Sequence, residues 1–125
     1  MLFRSRMSQA ISVIDSYTYP PTVGQVVIQR LVVPLQGGTP DEAAIEAAMP
    51  AVRTSMDALA GILSGGPYLA GGELSLADLH LAPVIDYFSK TPEGDGVLGA
   101  HAGLAGWWQR MQQRASVRDT QPRLG

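Results

Sequence analysis

The chain has 125 residues, 46% of them apolar, with a net charge of −2, no cysteine and two histidines. That is enough apolar material for one domain with its own core, and it excludes disulfides, thiolate metal sites and a cysteine nucleophile. The charge offers no footprint for nucleic acid or an anionic membrane surface. No apolar run approaches the roughly 18 residues of a membrane span and no signal peptide is recognisable, so a cytoplasmic protein is the default expectation. His80 and His101 stand far apart with no ligand spacing around them, and no metal is expected.

Residues 1–5 fit the pattern that follows poorly and are read as a candidate non-native segment, which sets the domain at 6–125. From Met7 onward, Ala10, Ile11, Ile14 and Tyr17 continue an apolar stripe at helical spacing. Pro20 and Pro21 remove two backbone donors, and the helix is expected to end there. The β-branched run Val26, Val27, Ile28, Val32 and Val33 suits a strand by propensity. Its helical neighbours favour a helix instead, ended by Gly37-Gly38.

Thr39-Pro40-Asp41-Glu42 reads as a helix start with Thr39 as cap, Pro40 in the first position and Glu42 in the third. The stripe Ile45, Ala48, Met49, Val52, Met56, Leu59 and Leu63 follows, with an expected kink at Pro50 and a stop at Gly65-Gly66. Residues 67–72 form a loop. Leu74-Ser75-Leu76-Ala77-Asp78-Leu79 then combines two helix-start signals. Ser75 and Asp78 can close a capping box, and Leu74 and Leu79 a hydrophobic staple. The helix that follows is expected to bury Leu76, Leu79, Ala82, Ile85 and Phe88. Residues 91–101 read as a Gly-rich loop, and Leu104, Trp107, Trp108, Met111 and Ala115 as the stripe of a last helix. The sum is an all-α bundle.

Few of these features suggest chemistry. The glycines at 65–72 lack the lysine and preceding strand of a phosphate-binding loop. Capping accounts for Ser75, and packing or an interface for His80. Arg110, Arg114 and Arg118 recur every fourth residue and read as a solvated face. Trp107 and Trp108 diverge by roughly 100° on a helix, so one of them is expected to meet a loop or another chain.

Taken together, Tyr68-Leu69-Ala70-Gly71 and Leu74-Ser75-Leu76-Ala77-Asp78 resemble the start of helix six in the C-terminal domain of glutathione transferases, whose folding signature is this capping box and staple. Asp78-Leu79-His80, Pro83, Tyr87 and Thr91-Pro92 resemble the plant phi class and its bacterial relatives. Tyr19-Pro20-Pro21 resembles the break in their first long helix, and Trp107-Trp108 with Arg110-Met111 the family's last helix. Arg114-Ala115-Ser116 departs from the usual Arg-Pro-Ser.

The resemblance implies the transferase C-terminal helical bundle. It also implies that glutathione, the co-substrate, and the catalytic Ser, Tyr or Cys belong to a thioredoxin-like domain that is absent from these residues. This chain would then hold no catalytic residue and bind no cofactor. Its part would be the wall for the electrophile, formed by Ile28 and Val32, within a protein that works as a homodimer. The other reading consistent with the resemblance is a non-catalytic interaction module with the same helical fold.

Overall fold

The computed structural model describes residues 2–63 and 66–114, which fold into five helices. These are α1 (residues 2–35), α2 (Glu42–Leu63), α3 (Leu76–Ser89), α4 (Pro92–Ala100) and α5 (Ala102–Gln112). Among the described residues the only strand-like pairing is the single bridge between Tyr68 and Gly71. Helix α1 packs against both α2 and α3, and the shorter α5 closes on α2, α3 and α4.

Helix α1 does not end at its prolines. It is α-helical over Leu2–Val13, Tyr19–Pro21 and Val33–Leu35, and widens to π-helical winding over Ile14–Thr18 and Thr22–Val32. Pro20 and Pro21 have no N–H to donate, and a proline ring crowds the carbonyl four residues back. A wider turn relieves that crowding, and the Tyr19 N–H reaches back five residues to the Ile14 carbonyl. The second segment closes the same way, from Val33 N–H to the Ile28 carbonyl. The helix stops where expected, at Gly37. That residue has φ +83°, and the Gly38 N–H returns to the Val33 carbonyl at 3.0 Å.

Helix α2 begins two residues later than its sequence signal suggests. Asp41, not Thr39, is the cap, with its Oδ1 accepting from the Ala44 N–H at 3.1 Å. All seven residues of the expected α2 stripe are buried, and the helix runs on through Pro50. After Leu63 the Gly66 N–H donates to the Leu63 carbonyl at 3.1 Å; Gly65, the other half of the expected stop, lies outside the described residues.

Helix α3 buries three of the five residues expected to face inward, Ala82, Ile85 and Phe88, but not the first two. Ala77, Leu81, Ala82, Val84, Ile85 and Phe88 are buried, whereas Leu76 is 65% exposed and Leu79 40%. The stretch expected to be a Gly-rich loop is helix α4. Thr91 caps it by accepting from the Gly94 N–H at 2.9 Å, and Pro92 follows at the first position. In α5, Leu104, Trp107, Trp108 and Met111 are all buried; Ala115, Ser116 and Arg118 lie outside the described residues. Both tryptophans therefore belong to the core, with ring centroids 6.2 Å apart, contrary to the expectation that one would leave it.

Candidate functional site

Four features outside plain packing were candidates for function, and the first is structural. The Asp78 carboxylate is fully buried. Its Oδ2 accepts from the Ser75 N–H at 2.9 Å and the Ser75 hydroxyl at 3.0 Å. Its Oδ1 accepts from the Leu69 N–H and from Trp107 Nε1, both at 2.9 Å. Both arms of a capping box close at Ser75. The same carboxylate also fastens the 67–72 loop and helix α5 to the start of α3. Leu74 is half-buried against the core, whereas Leu79 is 40% exposed.

Arg110 in α5 and Arg114 just past its end are exposed, as expected of a solvated face, and both also reach the same loop. Arg110 Nη2 donates to the Pro67 carbonyl at 2.7 Å, and Arg114 lies over the Tyr68 ring at 6.0 Å. The loop is close-packed at Gly66, where a Cβ would meet the Gly71 carbonyl oxygen at 2.6 Å.

The second feature is the outward side of α1. Val26 and Val27 are buried, while Ile28 is 39% exposed and Val32 half-buried. Ile28 and Val32 are therefore not plain core residues. They stand about one turn apart on a helix side that also leaves Leu35 exposed. The chemistry such a side offers is apolar contact.

The third feature lies half a turn away, on the inward side. Arg30 joins α1 to two other helices. Its Nη1 and Nη2 donate to Glu42 at 2.6 and 2.8 Å, and its Nε and Nη2 to Glu93 at 3.0 and 2.7 Å. The hydrogen bond to Arg30 holds the Glu93 carboxyl below its ordinary range, and Glu93 first, then Glu42, raises the Arg30 pKa. Nothing in the sequence marks this cluster, because its members are far apart in the chain.

The fourth is a cleft of about 710 Å³ between α2 and α4, floored by Ile45, Met49 and Val97 and rimmed by Arg30, Glu93 and His101. Ile28 and Val32 do not line it. Each histidine pairs with an aspartate on another helix, His80 with Asp15 at 2.6 Å and His101 with Asp57 at 3.1 Å. Among the described residues no three His, Asp or Glu side chains are grouped to hold a metal ion, and no helix is long and apolar enough to cross a membrane.

The described residues thus form an all-α bundle whose third helix starts at a buried capping box, Ser75–Asp78. Residues 14–115 match the family described as glutathione S-transferase, C-terminal domain, and the chain belongs to that family. Glutathione S-transferase F13 of Arabidopsis thaliana is 31% identical over 113 residues, covering 90% of this chain and 51% of that protein. Glutathione S-transferase 3 of Zea mays is 31% identical over 107 residues, covering 86% and 48%. The solved structure of glutathione S-transferase III in apo form superposes with a TM-score of 0.86 at 31% identity, covering 93% of this chain and 53% of that one. The chain thus spans about half the length of the relatives it matches.

Proposed function

We propose that this chain is the electrophile-side domain of a glutathione transferase. In this reading the glutathione site and the residue that stabilises its thiolate belong to a thioredoxin-like domain, corresponding to the half of the relatives that this chain does not match. The thiolate attacks an electrophile whose apolar body rests on Ile28 and Val32. The sulfur–carbon bond forms as the leaving group departs or the acceptor double bond takes up a proton.

The observation that carries the reading is the outward side of α1. A helix whose second half buries Val26 and Val27 leaves Ile28 half in solvent, although burying it would stabilise the bundle by roughly 1 kcal/mol or more. An exposed β-branched side of this kind suits an apolar partner or ligand. The maize glutathione S-transferase I, 27% identical to this chain, has been solved in complex with an atrazine glutathione conjugate, the type of product this reading gives. Assembly as a homodimer in the cytoplasm belongs to the same proposal.

Titration calorimetry of the 125-residue chain tests where glutathione binds. No binding of glutathione is expected, and micromolar binding would refute the placement of its site in another domain. Joining the chain to the thioredoxin-like half of a maize relative is expected to give conjugating activity. A folded hybrid without activity would instead favour a non-catalytic interaction module.

A further inference from the structure

The second half of α1 is wound in a way its own residues do not favour. Over Thr22–Val32 the helix is π-type, a form usually confined to single turns and frequent at functional sites. Its first residue, Thr22, is fully buried with a hydroxyl that has no hydrogen-bond partner. In an ordinary helix a threonine can bond the carbonyl three or four residues back. Gly24, inside the segment, has open space where a Cβ would stand. Pro34, whose ring crowds the Arg30 carbonyl four residues back, favours a wide turn at the end of the segment, but one proline does not account for eleven residues of wide winding.

The tethers are at its far end. The Asp41 N–H donates to Gln29 Oε1 at 2.8 Å, and Arg30 is held by four hydrogen bonds of 2.6–3.0 Å to carboxylates on two different helices. Each residue returned to α winding would rotate everything beyond it about the helix axis. After several such residues the guanidinium would no longer point at Glu42 and Glu93. Ile28 and Val32 each lie two residues from Arg30, roughly half a turn of helix away, so the same rotation would turn them away from their present side.

We infer that Arg30 is a positioning residue: its paired hydrogen bonds to Glu42 and Glu93 hold the second half of α1 in the wide winding and so fix the side on which Ile28 and Val32 stand. The use of that side for an electrophile rests on the function proposed above; the clamp does not. The Glu93 arm carries more of the effect, because Glu93 is 18% exposed against 68% for Glu42.

The chain has no cysteine, so nitroxide labels can be placed at introduced cysteines alone. Double electron–electron resonance is measured on the full chain with labels at Ile28→Cys and Ala58→Cys. Labels at Ala58→Cys and Gln109→Cys report the packing of α2 against α5 as a control.

In the parent a narrow 28–58 distance distribution is expected. Arg30→Lys keeps the charge but loses the planar fork that spans both carboxylates. It is expected to broaden and shift the 28–58 distribution while leaving 58–109 unchanged. Glu93→Gln should follow it and Glu42→Gln should do less. A 28–58 distribution unchanged in both Arg30→Lys and Arg30→Met overturns the inference. So does equal broadening of both pairs, which would make Arg30 a general staple. In the two-domain enzyme the electrophile KM should rise severalfold in Arg30→Lys with the glutathione KM unchanged. A broadened distribution with an unchanged electrophile KM would leave the clamp standing and remove the reading of Ile28 and Val32.

Discussion

Replacing Asp78 by alanine should show how much of the domain one buried carboxylate holds together. The substitution strands three N–H donors, those of Leu69, Ser75 and Trp107, and one hydroxyl. The hydroxyl can turn to another acceptor, but the amides and the indole cannot. An orphaned buried donor costs about 1–3 kcal/mol. Allowing for water entering beside the Ser75 amide, the loss should be about 4 kcal/mol, a large part of the roughly 5–15 kcal/mol that stabilises a typical domain.

Asp78→Asn keeps one acceptor oxygen for Leu69 and Trp107 but turns an NH₂ toward Ser75, and about 2 kcal/mol is expected. Ser75→Ala, which removes only the cap hydroxyl, should cost about 1 kcal/mol. Urea unfolding followed by far-UV circular dichroism measures all three, with the denaturant slope unchanged if only stability is altered. A cycle with Trp107→Phe should give a coupling energy of about 1–2 kcal/mol for the indole bond. An Asp78→Ala loss no larger than that of Ser75→Ala would refute the claim that the carboxylate joins the loop and α5 to the cap.

Three further outcomes are expected. A Cβ at Gly94 would lie 1.7 Å from the Phe88 carbonyl oxygen, so Gly94→Ala should shift the α3–α4 junction and cost about 3 kcal/mol in the same unfolding assay. Because Arg30 lowers the Glu93 pKa, the stability this pair contributes is fully present above the ordinary carboxylate range and is lost as pH falls through the lowered Glu93 value. Glu93→Gln should therefore flatten the acid limb of stability against pH and leave its shape near neutrality unchanged. With Tyr17, Tyr19, Ile28, Leu35, Leu76 and Leu79 exposed, the isolated chain should self-associate; a monodisperse monomer at high concentration in light scattering would contradict this.

How far the fold could be read from the residues varied with the element. The α2 stripe was legible in full, because its apolar and polar residues separate cleanly at helical spacing. Helix α3 was legible in its second half, where Ala82, Ile85 and Phe88 are buried, and not at its start. In place of Leu76 and Leu79, the side buried at its start contains Asp78, a polar residue the core accepts once four donors meet it.

Helix α4 was hidden by Gly94, Gly96 and Gly99, although Thr91-Pro92-Glu93 repeats the kind of start signal recognised at Thr39. The prolines of α1 misled because proline stops a helix only where the chain cannot widen its turn. The tryptophans misled because α5 is embedded: Trp107 bonds Asp78 on one side while Trp108 packs in the core on another. At the site, the exposed side at Ile28 and Val32 follows from the resemblance and not from periodicity. The Arg30 cluster joins residues 12 and 63 positions apart in the chain, a juxtaposition that only the folded structure displays.

The most direct test of the electrophile-side role is steady-state kinetics on the chain joined to a thioredoxin-like half, comparing the parent with Ile28→Ala and Val32→Ala. Truncating either side chain removes apolar contact of roughly 1–2 kcal/mol, so the electrophile KM should rise about 5- to 30-fold while the glutathione KM stays unchanged. A rise in the glutathione KM, or no change in either, would contradict the assignment of this side of α1 to the electrophile.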